Sequence, residues 1–87
     1  MALESSIQSK IVATLTRAGY IVLRNTVCNL KGWPDLTVYR RGRTAFIEVK
    51  RPGKEPTELQ AHRHKQLRAE GFDVHVIDSV EQVRDIF

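Results

Sequence analysis

Residues 35 to 50 read DLTVYRRGRTAFIEVK. Two runs rich in β-branched and aromatic residues, Asp35 to Arg40 and Thr44 to Lys50, are divided by the tight turn Arg41-Gly42. Such spacing predicts an antiparallel hairpin. Side chains alternate along a strand, so Ile47 and Val49 point one way while Phe46, Glu48 and Lys50 point the other. A lone E-x-K on a strand is ordinarily the solvated side of a half-exposed sheet. The hairpin adds a further consequence. Asp35 enters its strand at the end from which Glu48 and Lys50 leave theirs, so two carboxylates and an ammonium converge on one edge.

Upstream, Ile7, Ile11, Leu15 and Ala18 form one stripe of a helix from Glu4 to Ala18, with Gly19 as its stop. Glu4 falls within that apolar stripe. Tyr20 to Leu23 is a short strand, followed by a loop from Asn25 to Pro34 broken by Asn29, Gly32 and Pro34. Downstream, Arg51 to Pro56 continues neither strand nor helix, because its prolines lack a donor. Thr57 caps a helix running to Glu70, Gly71 stops it, Asp73 to Ile77 is a last strand, and Ser79 caps a short closing helix. A helix between the third and fourth strands requires a right-handed parallel crossover. The fold class is therefore α/β, a small mixed sheet with an αβββαβ core plus a short C-terminal helix, in one domain over residues 1–87. Only Leu59 and Leu67 are large and apolar on the second helix, which is expected to be half exposed or to face a partner.

The 87 residues, 41% hydrophobic, suit one small core. Cys28 is the only cysteine, which excludes an intrachain disulfide and a cysteine-based zinc site. No apolar run reaches membrane-spanning length and no signal pattern opens the chain, so a soluble, cytoplasmic protein with no membrane partner is expected. The net charge is +4, yet residues 40 to 68 alone carry +6 and the remainder −2. Clustered positive charge is the footprint of a phosphate-bearing partner.

A hard divalent cation is held by one or two carboxylates plus water and substrate phosphate, and it stabilises charge on a transferring phosphoryl group. Asp35, Glu48 and Lys50 fit that chemistry. Each also has a plainer reading. Gly32-Trp33-Pro34-Asp35 is an ordinary turn entering a strand, Lys50 with Glu48 is a surface ion pair, and Thr57-x-x-Gln60 is a capping box. Glu4 suits a helix N-terminus in any case. His62 and His64 point apart and cannot chelate together; His64 shares a face with Gln60, where it is either solvated or in contact with DNA. His75 is a strand histidine. Trp33 either stacks on an unpaired base or caps the sheet edge.

Taken in order, Pro34-Asp35 and Glu48-Val49-Lys50 resemble the signature of the PD-(D/E)xK nuclease superfamily, whose restriction-endonuclease-like core is also αβββαβ. Within it the chain is most similar to the VRR-NUC family, the virus-type replication-repair nucleases. The similarity rests on Glu4, Gly32 to Asp35, FIEVK followed by Arg51-Pro52, Gln60, and the L-x-x-x-G-F-x-V-x-V ending from Leu67 to Val76.

The resemblance implies that Asp35, Glu48 and the main-chain carbonyl of Val49 bind Mg²⁺, with Mn²⁺ able to substitute. It implies that Lys50 contacts the attacking water or the phosphate. Glu4 acts through water or a second ion, and Gln60 orients Lys50 or the phosphate. Arg41, Arg43, Arg51, Lys54, Arg63, His64, Lys65 and Arg68 form the candidate DNA track. The expected function is a structure-specific DNA endonuclease that resembles a Holliday junction resolvase, cutting branched DNA as a homodimer without a small-molecule cofactor. Its rivals are the same chemistry on flaps, nicks or linear duplex, a catalytically silent DNA-binding module, and an RNA-binding accessory protein.

Overall fold

A computed structural model describes residues 3–86. Its elements are α1 (Glu4–Arg17), β1 (Ile21–Arg24), β2 (Leu36–Arg40), β3 (Arg43–Val49), α2 (Glu58–Ala69), β4 (Asp73–Ile77) and a closing 3-10 helix (Val80–Asp85). The sheet order is β1-β2-β3-β4, with β1/β2 and β2/β3 antiparallel and β3/β4 parallel. This is the expected αβββαβ order, closed by a helix of the tighter 3-10 kind. The hairpin turns on Arg41 and Gly42, whose φ angles of 49° and 79° give the twist that two-residue hairpins favour.

The central strands are buried on both faces. On one, Leu36, Val38, Ala45, Ile47, Val49 and Ile77 pack beneath Ile7, Ile11 and Leu15 of α1, with Ile86 beside them. On the other, Phe46 and Val74 pack against Leu67 of α2, and Trp33 meets Phe46 edge-on at 5.7 Å. The second layer overturns the simple picture of a half-exposed strand. Because α2 packs on the face of Phe46 and Val74, the Glu48 face becomes interior. Only His64 and Leu67 of α2 are buried, and Leu59 is exposed. The helix is half exposed, as its sparse apolar content required.

The loop before β2 is pinned at several points. Asn25 donates from Nδ2 to the Pro34 carbonyl at 3.0 Å and to Thr37 Oγ1 at 2.9 Å, and its N–H donates to the Asp35 carbonyl at 2.8 Å. Arg63 Nε donates to the Lys31 carbonyl at 2.9 Å, tying the loop to α2. Gly32, with φ at 80°, passes so close to the helix that an added Cβ would lie 2.8 Å from Leu59 Cγ. The loop is thus clamped from both sides, which fixes where Asp35 enters the sheet. Among the described residues no helix is long and apolar enough to cross a membrane.

Candidate active site

The open end of the hairpin is built by one proline. The β2/β3 register pairs Leu36 with Ile47, so carrying it two residues further sets Asp35 opposite Glu48 and Pro34 opposite Val49. Val49 N–H donates to Asp35 Oδ2 at 2.8 Å, so the aspartate side chain takes the place of a ladder acceptor. In an antiparallel pair, the N–H and C=O of one residue face the same neighbouring strand. The Val49 carbonyl therefore faces the β2 side, where proline has no N–H to give it. The next residue turns the other way, with Lys50 N–H donating to the Ile77 carbonyl of β4 at 2.9 Å.

Glu48 is 1% exposed. Its Oε1 lies 3.1 Å from His64 Nε2, and its Oε2 lies 3.5 Å from Gln60 Nε2, at the limit of a hydrogen bond. Burial, and then the neighbouring Asp35 carboxyl, push the Glu48 carboxyl up to about 9, against a smaller opposing pull from Lys50. Burial pushes His64 down, and the charges of Arg68 and Lys50 push the same way. Both effects favour neutral groups where no counter-cation is present.

Gln60 closes the capping box and turns the other end of the same side chain toward Glu48. Its Oε1 accepts from the Thr57 N–H at 2.8 Å, closing the capping box with Thr57 Oγ1, while its amide nitrogen faces Glu48. Glu4, at the start of α1, reaches the same end of the sheet, where its Oε1 accepts from the Arg51 N–H at 3.3 Å. Glu4 is exposed while Asp35 and Lys50 are half-buried, so the site opens from a dry floor at Glu48 to a wet rim.

Among the described residues no three His, Cys, Asp or Glu side chains form a ready-made metal cage. What the site offers is a pair of carboxylates and a strand carbonyl that faces a proline, the donor set on which Mg²⁺ settles when water and substrate phosphates complete its shell. Burial and the Asp35 carboxyl raise the proton affinity of Glu48, and a bound dication would oppose that rise. The residues fit such an ion.

The candidate DNA residues fall into separate groups. Arg51 and Lys54 lie in the loop that leaves β3 beside the carboxylates, and Lys65 is exposed on α2. Arg63 bonds to the Lys31 carbonyl and Gln66, and Arg68 Nη2 donates to the Val74 carbonyl at 2.7 Å, so both also brace the fold. Arg41 and Arg43 lie at the hairpin turn, about 20 Å from Asp35 at strand spacing, beside a surface concavity lined by Gly19, Ile21, Tyr39 and Arg40 to Thr44. That concavity is remote from the carboxylates. His64 requires a correction. It is 2% exposed and turned inward onto Glu48, not outward to solvent or DNA. The sequence hid this because a histidine on a helix with few apolar residues reads as surface, and only the buried acceptor beneath it makes burial tolerable. Trp33, half-buried against Phe46, caps the second cluster. Asn25 was not singled out by sequence; an asparagine at a strand end was its only signal.

A mixed four-stranded sheet with Asp35, Glu48 and Lys50 gathered at the open end of its central hairpin defines the PD-(D/E)xK class of nuclease folds. Comparison narrows this. The chain is 35% identical over 77 residues to "Putative nuclease p44" of Acyrthosiphon pisum secondary endosymbiont phage 1, covering 87% of this chain and 83% of that one. A solved structure of a VRR_NUC domain superposes with a TM-score of 0.84 at 30% identity, over 94% of this chain and 90% of that one. No protein-family model matches the chain. It belongs to the VRR-NUC family.

Proposed function

We propose that this chain is a metal-dependent DNA endonuclease that cuts branched DNA as a homodimer, in the manner of a Holliday junction resolvase, in the cytoplasm of a bacterium or a phage-infected host. The observation that carries the reading is the juxtaposition of Asp35, held by the Val49 N–H, with buried Glu48 and adjacent Lys50 at one sheet end. Family membership and the phage relative named as a nuclease support it. Asp35, Glu48 and the Val49 carbonyl would hold Mg²⁺ or Mn²⁺, with Glu4 reaching through water or a second ion. When bound, the ion supplies Lewis-acid stabilisation of the charge that builds on the scissile phosphate.

The protein's own groups do the rest. Lys50, next to these carboxylates at the sheet end, acts as an electrostatic clamp on the phosphate and a positioner for the attacking water. Gln60, rigidified by the capping box, orients the same phosphate edge. Glu48 lies on the dry floor, where interactions with developing charge are strongest. Arg51, Lys54 and Lys65 hold the DNA arms through phosphates, which set position but carry no base sequence.

A junction with two-fold symmetry is matched by a protein with two equivalent sites. The edge strand β1 leaves Ile21 and Leu23 exposed at 69% and 52%, apolar surface of the kind a second copy covers. The test is cleavage of labelled four-way junction, flap, nicked and linear DNA with Mg²⁺, together with the protein's mass in solution. Paired symmetric cuts in the junction by a dimer support the proposal. Preferential cutting of flapped or linear DNA would overturn the substrate assignment and keep the chemistry.

A further inference from the structure

We propose that His64 is a positioning residue that makes the metal centre selective. By holding one oxygen of Glu48 from the protein interior, it presents the other oxygen alone and so favours a small octahedral dication over a larger one. The inference rests on the metal-dependent reading above and adds a residue to it.

The inward positions of α2 are held by His64 and Leu67, at 2% and 6% exposure. Leucine there completes the cluster with Phe46 and Val74. A histidine at the other position carries two polar nitrogens into the interior, at a cost that a buried partner must offset. Glu48 is that partner: the contact is 3.1 Å and the two side chains are 3% and 1% exposed. As a metal ligand Glu48 is an ionised carboxylate, which only accepts. His64 must then be the donor, through Nε2–H.

The two carboxylate oxygens are thereby distinguished. Oε1 is committed to the interior, while Oε2 faces the Gln60 amide on the open side. A carboxylate fixed in this way offers one oxygen outward. Mg²⁺ demands near-ideal octahedral geometry and keeps several waters, whereas Ca²⁺ takes more ligands and accepts both oxygens of one carboxylate. A carboxylate unable to turn disfavours the larger ion. Partners that orient metal ligands in this way typically change affinity by about 10- to 100-fold when removed.

The test is ion binding by the intact chain without DNA. Mn²⁺ uptake is followed by electron paramagnetic resonance of the free ion, and Mg²⁺ and Ca²⁺ are measured by displacement of Mn²⁺. His64→Leu keeps the volume but removes the donor; His64→Gln places an amide N–H near the position of Nε2. The expected result is a loss of at least about tenfold in Mn²⁺ and Mg²⁺ affinity in His64→Leu, a much smaller loss for Ca²⁺, and recovery of the wild-type ratio in His64→Gln. An unchanged Mg²⁺ to Ca²⁺ ratio in His64→Leu, or equal impairment in the two variants, would overturn the proposal. Should His64→Leu fail to fold, His64→Gln and the shorter His64→Asn decide: a wild-type ratio only in the glutamine variant upholds it, and equal ratios refute it. Wild type that takes up no Mn²⁺ with or without DNA would instead overturn the metal-dependent reading itself.

Discussion

Replacing Glu48 by glutamine should make the metal-free protein more stable above neutral pH while abolishing its activity. The carboxyl's pKa is raised from 4.5 to about 9, first by burial and then by Asp35. Because the folded value lies above the unfolded one, the contribution of Glu48 to stability is fully present below 4.5 and is lost as the pH rises through 9. His64 has the opposite sign, since a lowered folded value costs stability as the pH falls below its usual 6.5. Between about pH 6.5 and 9 the His64 contribution no longer offsets that of Glu48. At roughly 1.4 kcal/mol per pH unit, two pH units in that window cost the wild type about 3 kcal/mol. Glu48→Gln keeps the shape and has no proton to lose. Urea unfolding in EDTA at several pH values from about 6.8 to 8.8 measures both. The wild type should weaken steeply with pH and the variant should stay nearly flat. Parallel profiles would refute the placement of Glu48 in a dry, carboxylate-flanked floor.

Other parts of the site make equally specific demands. Pro34→Ala supplies an N–H opposite the Val49 carbonyl, and cleavage should fall by roughly tenfold or more, as when the support of a metal ligand is disturbed, alongside a loss of stability because the proline ring is fully buried; single-turnover cleavage beside a urea melt separates the two. Gly32→Ala forces a side chain into a positive-φ position against Leu59, with an expected cost of about 2 kcal/mol and a fall in Tm of roughly 8 to 16 °C for a domain of this size. The double variant Arg41→Ala, Arg43→Ala should weaken DNA binding evenly across sequences and lower the slope of log affinity against log salt by up to about 2, if the far end of the sheet touches phosphates. Fluorescence anisotropy over a salt series reads that slope, and an unchanged slope would confine the DNA track to the carboxylate end.

The hairpin and the crossover were legible because local chemistry dictates them. Arg41-Gly42 favours a tight turn, and a helix between β3 and β4 supplies the crossover that a parallel pair needs. Asp35, Glu48 and Lys50 came together for the same reason, since pairing of the strands joins the ends that carry them. The burial of Glu48 was not legible, because it depends on where a helix with few apolar residues lands. Nor was His64, whose inward turn makes sense only once the buried carboxylate beneath it is known. Gln60 shows a different limit. The capping box and the site compete as readings of the sequence; in three dimensions one end of the amide closes the box and the other faces Glu48.

The central claim is that Asp35, Glu48 and Lys50 form a phosphodiester-cleaving centre. Its most direct test is single-turnover cleavage of a labelled four-way junction and its matched linear duplex in Mg²⁺, comparing wild type with Lys50→Ala and measuring DNA binding for both. The wild type should cleave, the variant should lose at least about 100-fold, as when a transition-state charge stabiliser is removed, and binding should survive. Cleavage that persists in Lys50→Ala, or a wild type that binds DNA and cuts none of it, would mean that Asp35, Glu48 and Lys50 are not a cleavage centre.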